Sequence, residues 1–412
     1  MLAKLAEEFL EVEEATPLPA QPLPESPKHY PVFGKKLVDK NTLQQMDMAM
    51  RLPIAAAGAL MPDAHHGYGI PVGGVLATQN AVIPYGVGLD IGCRMALSIL
   101  DVPPEYLKRN HYRFKTALQT QTHFGVGKVQ DSQEAHVVLD RPEFRETELL
   151  RMLQGKAAAQ IGTSGSGNHF VEFGIVEIAD GTNLELAPGK YLGLLSHSGS
   201  RGLGATIAQY YTRVAMDISR LPREALHLAW LDLDTEAGQE YWRAMNLAGD
   251  YAKACHDVIH RKLSRELGLE TILKVENHHN FAWKEIVDGE ELIVHRKGAT
   301  PAQKGVLGII PGSMTAPGYI VSGKGKVEAL NSASHGAGRA MSRKKAKNSL
   351  TRSDMRKRLK NHGVTLLGGG VDEAPLAYKD LEKVLSQQKD LVHIEGTFTP
   401  KIVKMNKDLS YD

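Results

Sequence analysis

The 412-residue sequence predicts an α+β protein: one large domain with a mixed β-strand core, helices packed outside it, and a single deep pocket. Three observations carry this. Strand-like and helix-like segments are interspersed along the chain instead of falling into separate blocks. No internal repeat stands out. Polar clusters of functional character are scattered from Asp90 to Arg339, each at a predicted strand end or in a glycine loop, which argues for one interwoven unit.

Composition narrows the class. With 42% hydrophobic and 23% charged residues, 40 glycines and a formal net charge of +2, the chain reads as a soluble globular protein, and any acidic partner must meet a local basic patch. Only Cys93 and Cys255 occur, which gives no disulfide framework and fits a reducing compartment, so a cytoplasmic address is expected. Met1 to Glu14 lacks the basic and apolar regions of a signal peptide. No apolar run approaches the roughly 20 residues of a membrane span, and no membrane partner is expected.

Taken in order, residues 2–15 read as an acidic amphipathic helix and Pro17 to Pro31 as a proline-rich strap lying extended over the surface. Asn41 is placed to cap a helix running to Leu52 and stopped by Pro53. Val72 to Leu76 and Ala81 to Pro84 read as short strands within a glycine-rich stretch. Helical spacing covers Tyr106 to His123 and Glu143 to Gln160, with a polar, turn-like Gly125 to Arg141 between them. Strands are expected over 170–179 and 191–195, and helices over Leu203 to Ile218 and Thr235 to Leu267. The long helix carries Tyr241, Met245, Ala248, Ala252, Val258 and Ile259 as its apolar positions. Strands dominate from Glu270 to Val321, a basic helical segment covers Arg339 to Lys360, and a helix near Lys379 to Gln388 precedes a strand near Leu391 to Val403.

The chemistry centres on P-Y-G-V-G-L-D-I-G-C-R-M at 84–95, where glycines let the backbone bend so that Asp90 and Cys93 point at one spot. A hard oxygen beside a soft sulfur suits Mn²⁺, Zn²⁺, Co²⁺ or Fe²⁺, and a thiolate can bridge two ions. The alternative is an inert buried cysteine beside a turn-forming aspartate. At 162–172, a glycine-rich loop leads into Asn168, a donor to phosphate oxygens, and His169, a metal ligand; the plainer reading is a loop ending in a core histidine. Ser196 to Gly202 reads as strand to helix, its N–H groups facing an anion, or as ordinary capping by Ser198 or Ser200. His278 and His279, adjacent on a strand, face opposite ways, so one enters a given site. Finally, Ser334-His335-Gly336-Ala337-Gly338-Arg339 sets an imidazole among small neighbours, where it can attack phosphorus, or simply places a histidine in a turn. The basic run from Arg343 to Lys360 then either tracks a nucleic-acid backbone or is a solvated face.

Taken together, D-I-G-C at 90–93, G-N-H-F-V-E at 167–172, H-S-G-S-R-G at 197–202, H-H-N at 278–280, R-K-G-A at 296–299, I-P-G-S-M at 310–314 and S-H-G-A-G-R at 334–339, with M-P-D-A-H-H-G-Y-G at 61–69, resemble the RtcB family of RNA-splicing ligases. The likeness runs from about Met61 onward, with the motifs in the family's order. It implies two Mn²⁺ ions, with Cys93 bridging, one sharing Asp90 and His169 and the other His197 and His279. It implies a guanylyl group carried on His335, and GTP contacts from Asn168, His169, Phe170, Val171, Glu172, Pro311, Gly312, Ser313, Met314, Gly318, His335, Gly336, Ala337 and Gly338. Lys404 is the candidate for the family's guanine-touching lysine, one register placing Met405 there instead.

The resemblance further implies joining of an RNA 3′-phosphate or 2′,3′-cyclic phosphate to a 5′-hydroxyl, as in tRNA halves or damaged RNA, often with the partner protein archease. Residues 1–35 then form the N-terminal helix and strap, and 36–412 the catalytic domain. Two alternatives stay open: a diverged paralogue that guanylates or repairs 3′-phosphate ends, and a non-catalytic metal-containing RNA-binding protein. A dinuclear metallohydrolase would have no need of the Ser334 to Arg339 loop.

Overall fold

The structure, a computed structural model, describes residues 22–407. Phe170–Ile178 and Gly189–Ser198 pair antiparallel within an eight-stranded sheet, their side chains alternating between two apolar layers. Val171, Phe173, Leu192 and Leu194 pack on one side with Phe114 and Ile259, while Val176 and Leu195 join Met95, Leu97 and Phe398 on the other. Across the sheet the order is Leu307–Ile310, Gly318–Gly323, Val392–Met405, Phe170–Ile178, Gly189–Ser198, Arg94–Leu100 and Thr271–His278; Thr365–Leu367 adds in parallel to Val392–Met405. The outer strands nearly meet. Between them the Asn277 amide accepts from Ile309 N–H at 2.9 Å and donates to Ile309 O at 3.3 Å, standing in for a ladder pair and bringing the sheet close to a barrel.

A second, antiparallel sheet orders Ala55–His65, Val72–Thr78, Glu290–Lys297 and Asn280–Val287. The helix Glu236–Leu267 starts where Thr235 Oγ1 accepts from Gly238 N–H and stops at the left-handed Gly268. Its expected apolar positions, Tyr241, Met245, Ala248, Ala252, Val258 and Ile259, are all fully buried. Each large one contributes on the order of 1.5–3 kcal/mol by leaving water.

Elsewhere the local reading needs correction. Asp39, not Asn41, caps the helix Lys40–Ala49, its carboxylate accepting from Thr42 N–H at 2.9 Å. The helix expected over 106–123 is two, Pro104–Arg109 and His111–Gln121, meeting at Asn110. The basic segment is likewise split into Arg343–Ser349 and Arg352–Asn361, each with its own hydroxyl cap, Ser342 and Thr351. The acidic helix expected over 2–15 lies outside the described residues. Of the strap, residues 22–31 carry no regular structure. It is tied down by Lys28 N–H to Met50 O at 3.1 Å and the Tyr30 hydroxyl to Asp47 at 2.7 Å. Among the described residues no helix is long and apolar enough to cross a membrane.

Candidate functional site

Adjacent strands lie about 4.8 Å apart, so donors at neighbouring strand ends come within reach of one another. Four of the expected ligands are placed this way, at one rim of the large sheet. His169 precedes Phe170–Ile178, His197 closes Gly189–Ser198, Cys93 precedes Arg94–Leu100 and His279 follows Thr271–His278; these four strands are consecutive neighbours. Asp90 reaches in from the turn before Cys93. A Cβ on Gly199 would collide with the Asp90 carboxylate, so this close approach requires a glycine.

The distances are short. Cys93 Sγ lies 3.5 Å from His169 Nε2 and 3.2 Å from His197 Nε2; His197 Nε2 is 3.2 Å from His279 Nε2, and His169 Nε2 is 2.8 Å from Asp90 Oδ2. Carbonyls can only accept, so the Nδ1 atoms of His169 and His197, bonded to Ser164 O and Asn168 O, carry the ring protons. Both Nε2 atoms therefore face into the cluster, where each can bind a cation once it carries no proton. The short contacts of His169 Nε2 with Asp90 and of His197 Nε2 with Cys93 and His279 are hydrogen bonds whose protons a bound cation would displace. His279 Nδ1 adds a buried atom with no hydrogen-bond partner.

These residues form two potential cation sites, Asp90–Cys93–His169 and Cys93–His197–His279, sharing the sulfur. Their electrostatics fit. Burial pushes the His197 imidazole down to about 3 and the His279 imidazole well below its usual range, so both rings are neutral, as ligation needs. Burial raises the Asp90 carboxyl, but His169 beside it brings it down to about 2. Burial, then the Asp90 charge, pushes the Cys93 thiol well up, so cation binding must release its proton.

His335 stands beside the cluster, its ring centroid 4.9 Å from that of His279. Its Nδ1–H donates to Asp63 Oδ2 at 2.7 Å. Asp63 is fully buried, and its Oδ1 has no other partner. Gly338, at φ +71°, packs so closely on Asp63 O that a side chain there would collide with it. That bond leaves His335 Nε2 as the free lone pair.

Both rings open onto one cavity of about 320 Å³. Asp90, Cys93, Asn168, His169, Phe170, Glu172, His197, His279, Pro311, Gly312, Ser313, Met314, Gly318, His335, Gly336, Ala337 and Gly338 all line it. Two expected residues do not. Val171, one position out of phase on its strand, points into the opposite apolar layer. Lys404 is also on the far side, where its ammonium donates to the carbonyls of Leu118, Gln119 and Thr122 at 2.9, 3.0 and 2.7 Å and caps a helix end, while Met405 lines the cavity. His278 faces away as anticipated, packed on Phe281 and Trp283.

The Ser196 to Gly202 segment corrects the capping reading. Ser196, Ser198 and Ser200 are fully buried, no side chain caps the following helix, and Gly202 N–H, one of the groups expected to face an anion, donates to Gln160 Oε1 at 3.1 Å. The structure also adds Lys297, Arg339 and Arg343 to the cavity wall, with Glu373 ion-paired to both arginines. The basic run thus begins at the cavity, and Arg356, Lys357, Arg358 and Lys360 continue it on an exposed helix. Asp63 carried no role in the sequence reading; its signal was a carboxylate inside the motif at 61–69.

A family model described as tRNA-splicing ligase RtcB matches residues 44–405. An RNA-splicing ligase RtcB of Escherichia coli K12 is 32% identical over 386 residues, covering 87% of this chain and 92% of that protein. A tRNA-splicing ligase RtcB of Aeropyrum pernix is 32% identical over 431 residues, with 86% and 88% covered, and one of Nanoarchaeum equitans is 30% identical, with 87% and 90% covered.

Proposed function

The chain belongs to the RtcB family, and on that premise we propose that it is an RNA ligase that uses GTP and Mn²⁺ to join 3′-phosphate or 2′,3′-cyclic phosphate ends to 5′-hydroxyl ends through a guanylyl-histidine, acting in the cytoplasm on substrates such as tRNA halves. One observation carries the reading: a histidine with a fixed tautomer shares a cavity with five convergent cation donors. Asp90, Cys93, His169, His197 and His279 would hold the ions, which supply Lewis-acid neutralisation of phosphoryl oxygens. The cavity-lining stretches 168–170, 311–314 and 336–338, with Glu172 and Gly318, would hold the nucleotide, and the catalytic domain is taken as residues 36–412.

His335 Nε2 attacks the α-phosphorus of GTP. The N–P bond forms as the bond to the bridging oxygen breaks, and pyrophosphate leaves. Asp63 keeps the Nδ1 proton in place and offsets the positive charge that grows on the ring. An oxygen of the RNA 3′-phosphate, formed from a cyclic end by attack of water that opens the ring and frees the 2′-hydroxyl, next attacks the same phosphorus and releases His335. The 5′-hydroxyl then attacks the activated RNA phosphate, GMP departs and the strand is sealed. Arg339 and Arg343, partly offset by Glu373, and Lys297, whose amine burial brings down to about 7, line the cavity where the anions would lie.

The test is incubation with α-labelled GTP and Mn²⁺. Label on the protein should be acid-labile and alkali-stable, absent in His335→Ala and Cys93→Ala, and formed at least about tenfold more slowly in Asp63→Asn. Label persisting in His335→Ala overturns the assignment of the nucleophile. Addition of a 3′-phosphate RNA with a 5′-hydroxyl partner then separates joining from mere guanylation of the end.

A further inference from the structure

Consecutive residues open onto two different cavities. His65 lines the cavity just described, whereas His66 and Tyr68 line a second one of about 400 Å³, together with Gln44, Met48 and His227. Tyr68 is 66% exposed, an unusual position for a large ring held this firmly. Its loop is clamped by Gln45, which accepts from Gly67 N–H at 3.1 Å and donates to Gly69 O at 2.7 Å. Behind it, Tyr85 and His227 stack at 4.9 Å, and Tyr68 meets both edge-on, at 6.3 and 5.9 Å. The edge contacts fix the ring and leave it largely open to solvent.

Lys297 connects this platform to the catalytic cavity. Its side chain lines the cavity, its ammonium donates to the carbonyls of Tyr68 and Tyr85, and it sits 5.0 Å from the Tyr85 ring. An exposed, preorganised aromatic face suits an unpaired nucleobase, because every base has a π-face, and the amide and imidazole groups beside it can meet a base edge. A strand leaving the His335 cavity past Lys297 would lay its phosphates by that amine and its next bases on Tyr68.

We propose that the Tyr68 face and the cavity beside it form a stacking subsite for an unpaired nucleobase of the RNA, close to the end being joined. This rests on the RNA-joining reading above.

The test uses the full chain and short single-stranded RNAs, one ending in a 3′-phosphate and one beginning with a 5′-hydroxyl, with 2-aminopurine at successive positions. Wild-type protein should quench the probe at one or two positions near the end of one of these strands, which identifies the strand. Tyr68→Ala should abolish that position-specific quenching and weaken RNA binding by about fivefold or more. Tyr68→Phe, which keeps the ring, should restore both, and equal melting temperatures show that the fold is kept. Undiminished binding and quenching in Tyr68→Ala, or a Tyr68→Phe as defective as Tyr68→Ala, overturns the subsite and leaves the ligase reading standing. Wild-type protein with no affinity for either RNA overturns both.

Discussion

Glu172 shows how much of a residue's chemistry its partners decide. Its carboxyl lines the cavity beside Leu195, Phe398 and Val403, and burial among such groups raises it from the ordinary 4.5 to about 8. Between those values the unfolded chain is ionised while the folded one still holds the proton. Stability must therefore fall as pH rises from about 4.5 to about 8, and level off above that. Glu172→Gln, which cannot ionise, should raise the melting temperature of chelator-treated protein at pH 8 and leave it unchanged at pH 4. An equal effect at both pH values would sink this account. Sequence alone offered the residue as a nucleotide contact by resemblance; it could not offer a neutral acid, because the neighbours that desolvate it lie on other strands. Asp63 was hidden in the same way, its partner His335 being far along the chain, whereas Asp90 and Cys93 were legible because they share one turn.

Among elements, legibility followed locality. The helix Glu236–Leu267 announces itself through a 3.6-residue apolar period, and its cap and stop lie in adjacent residues. The strand Ala55–His65 does not, being rich in alanine and glycine, which carry little strand preference. Its small residues serve packing: a Cβ on Gly58 would lie 2.5 Å from Met50 Sδ and 2.6 Å from Met46 Cε. Arg296 is a tertiary feature of the same kind. Fully buried on Glu290–Lys297, it pairs bidentately with Glu285 at 2.5 and 3.0 Å, lies 4.7 Å from the Trp283 ring, and donates to Ser332 Oγ and Leu330 O. It thereby fastens the four-stranded sheet to Ser332–Ser334, the strand that delivers His335. Arg296→Ala strands the Glu285 carboxylate and should cost about 3–5 kcal/mol in urea unfolding. A loss below about 1 kcal/mol would mean that the contact is replaceable and the fastening lies elsewhere.

At the scale of the whole molecule, the proposed metal centre ties together the ends of four neighbouring strands that the chain reaches only after long excursions, so ligation and folding should be coupled. The donors lie 2.8–3.5 Å apart at those strand ends, so one ion can bind several of them at once only while the rim is closed. A divalent ion that binds only the folded chain adds RT ln(1 + [L]/Kd), about 2.7 kcal/mol at a hundredfold excess over Kd. Mn²⁺ should accordingly raise the melting temperature of chelator-treated protein by several degrees. Because the buried Cys93 thiol has to give up its proton, the increment should grow from pH 6 to pH 8. Cys93→Ala removes the shared sulfur and should abolish most of the increment, while Cys255→Ala, on the long helix and away from the cluster, should retain it. An increment that survives in Cys93→Ala would place the cation elsewhere in the molecule and detach the metal from the strand rim on which the proposed chemistry is built.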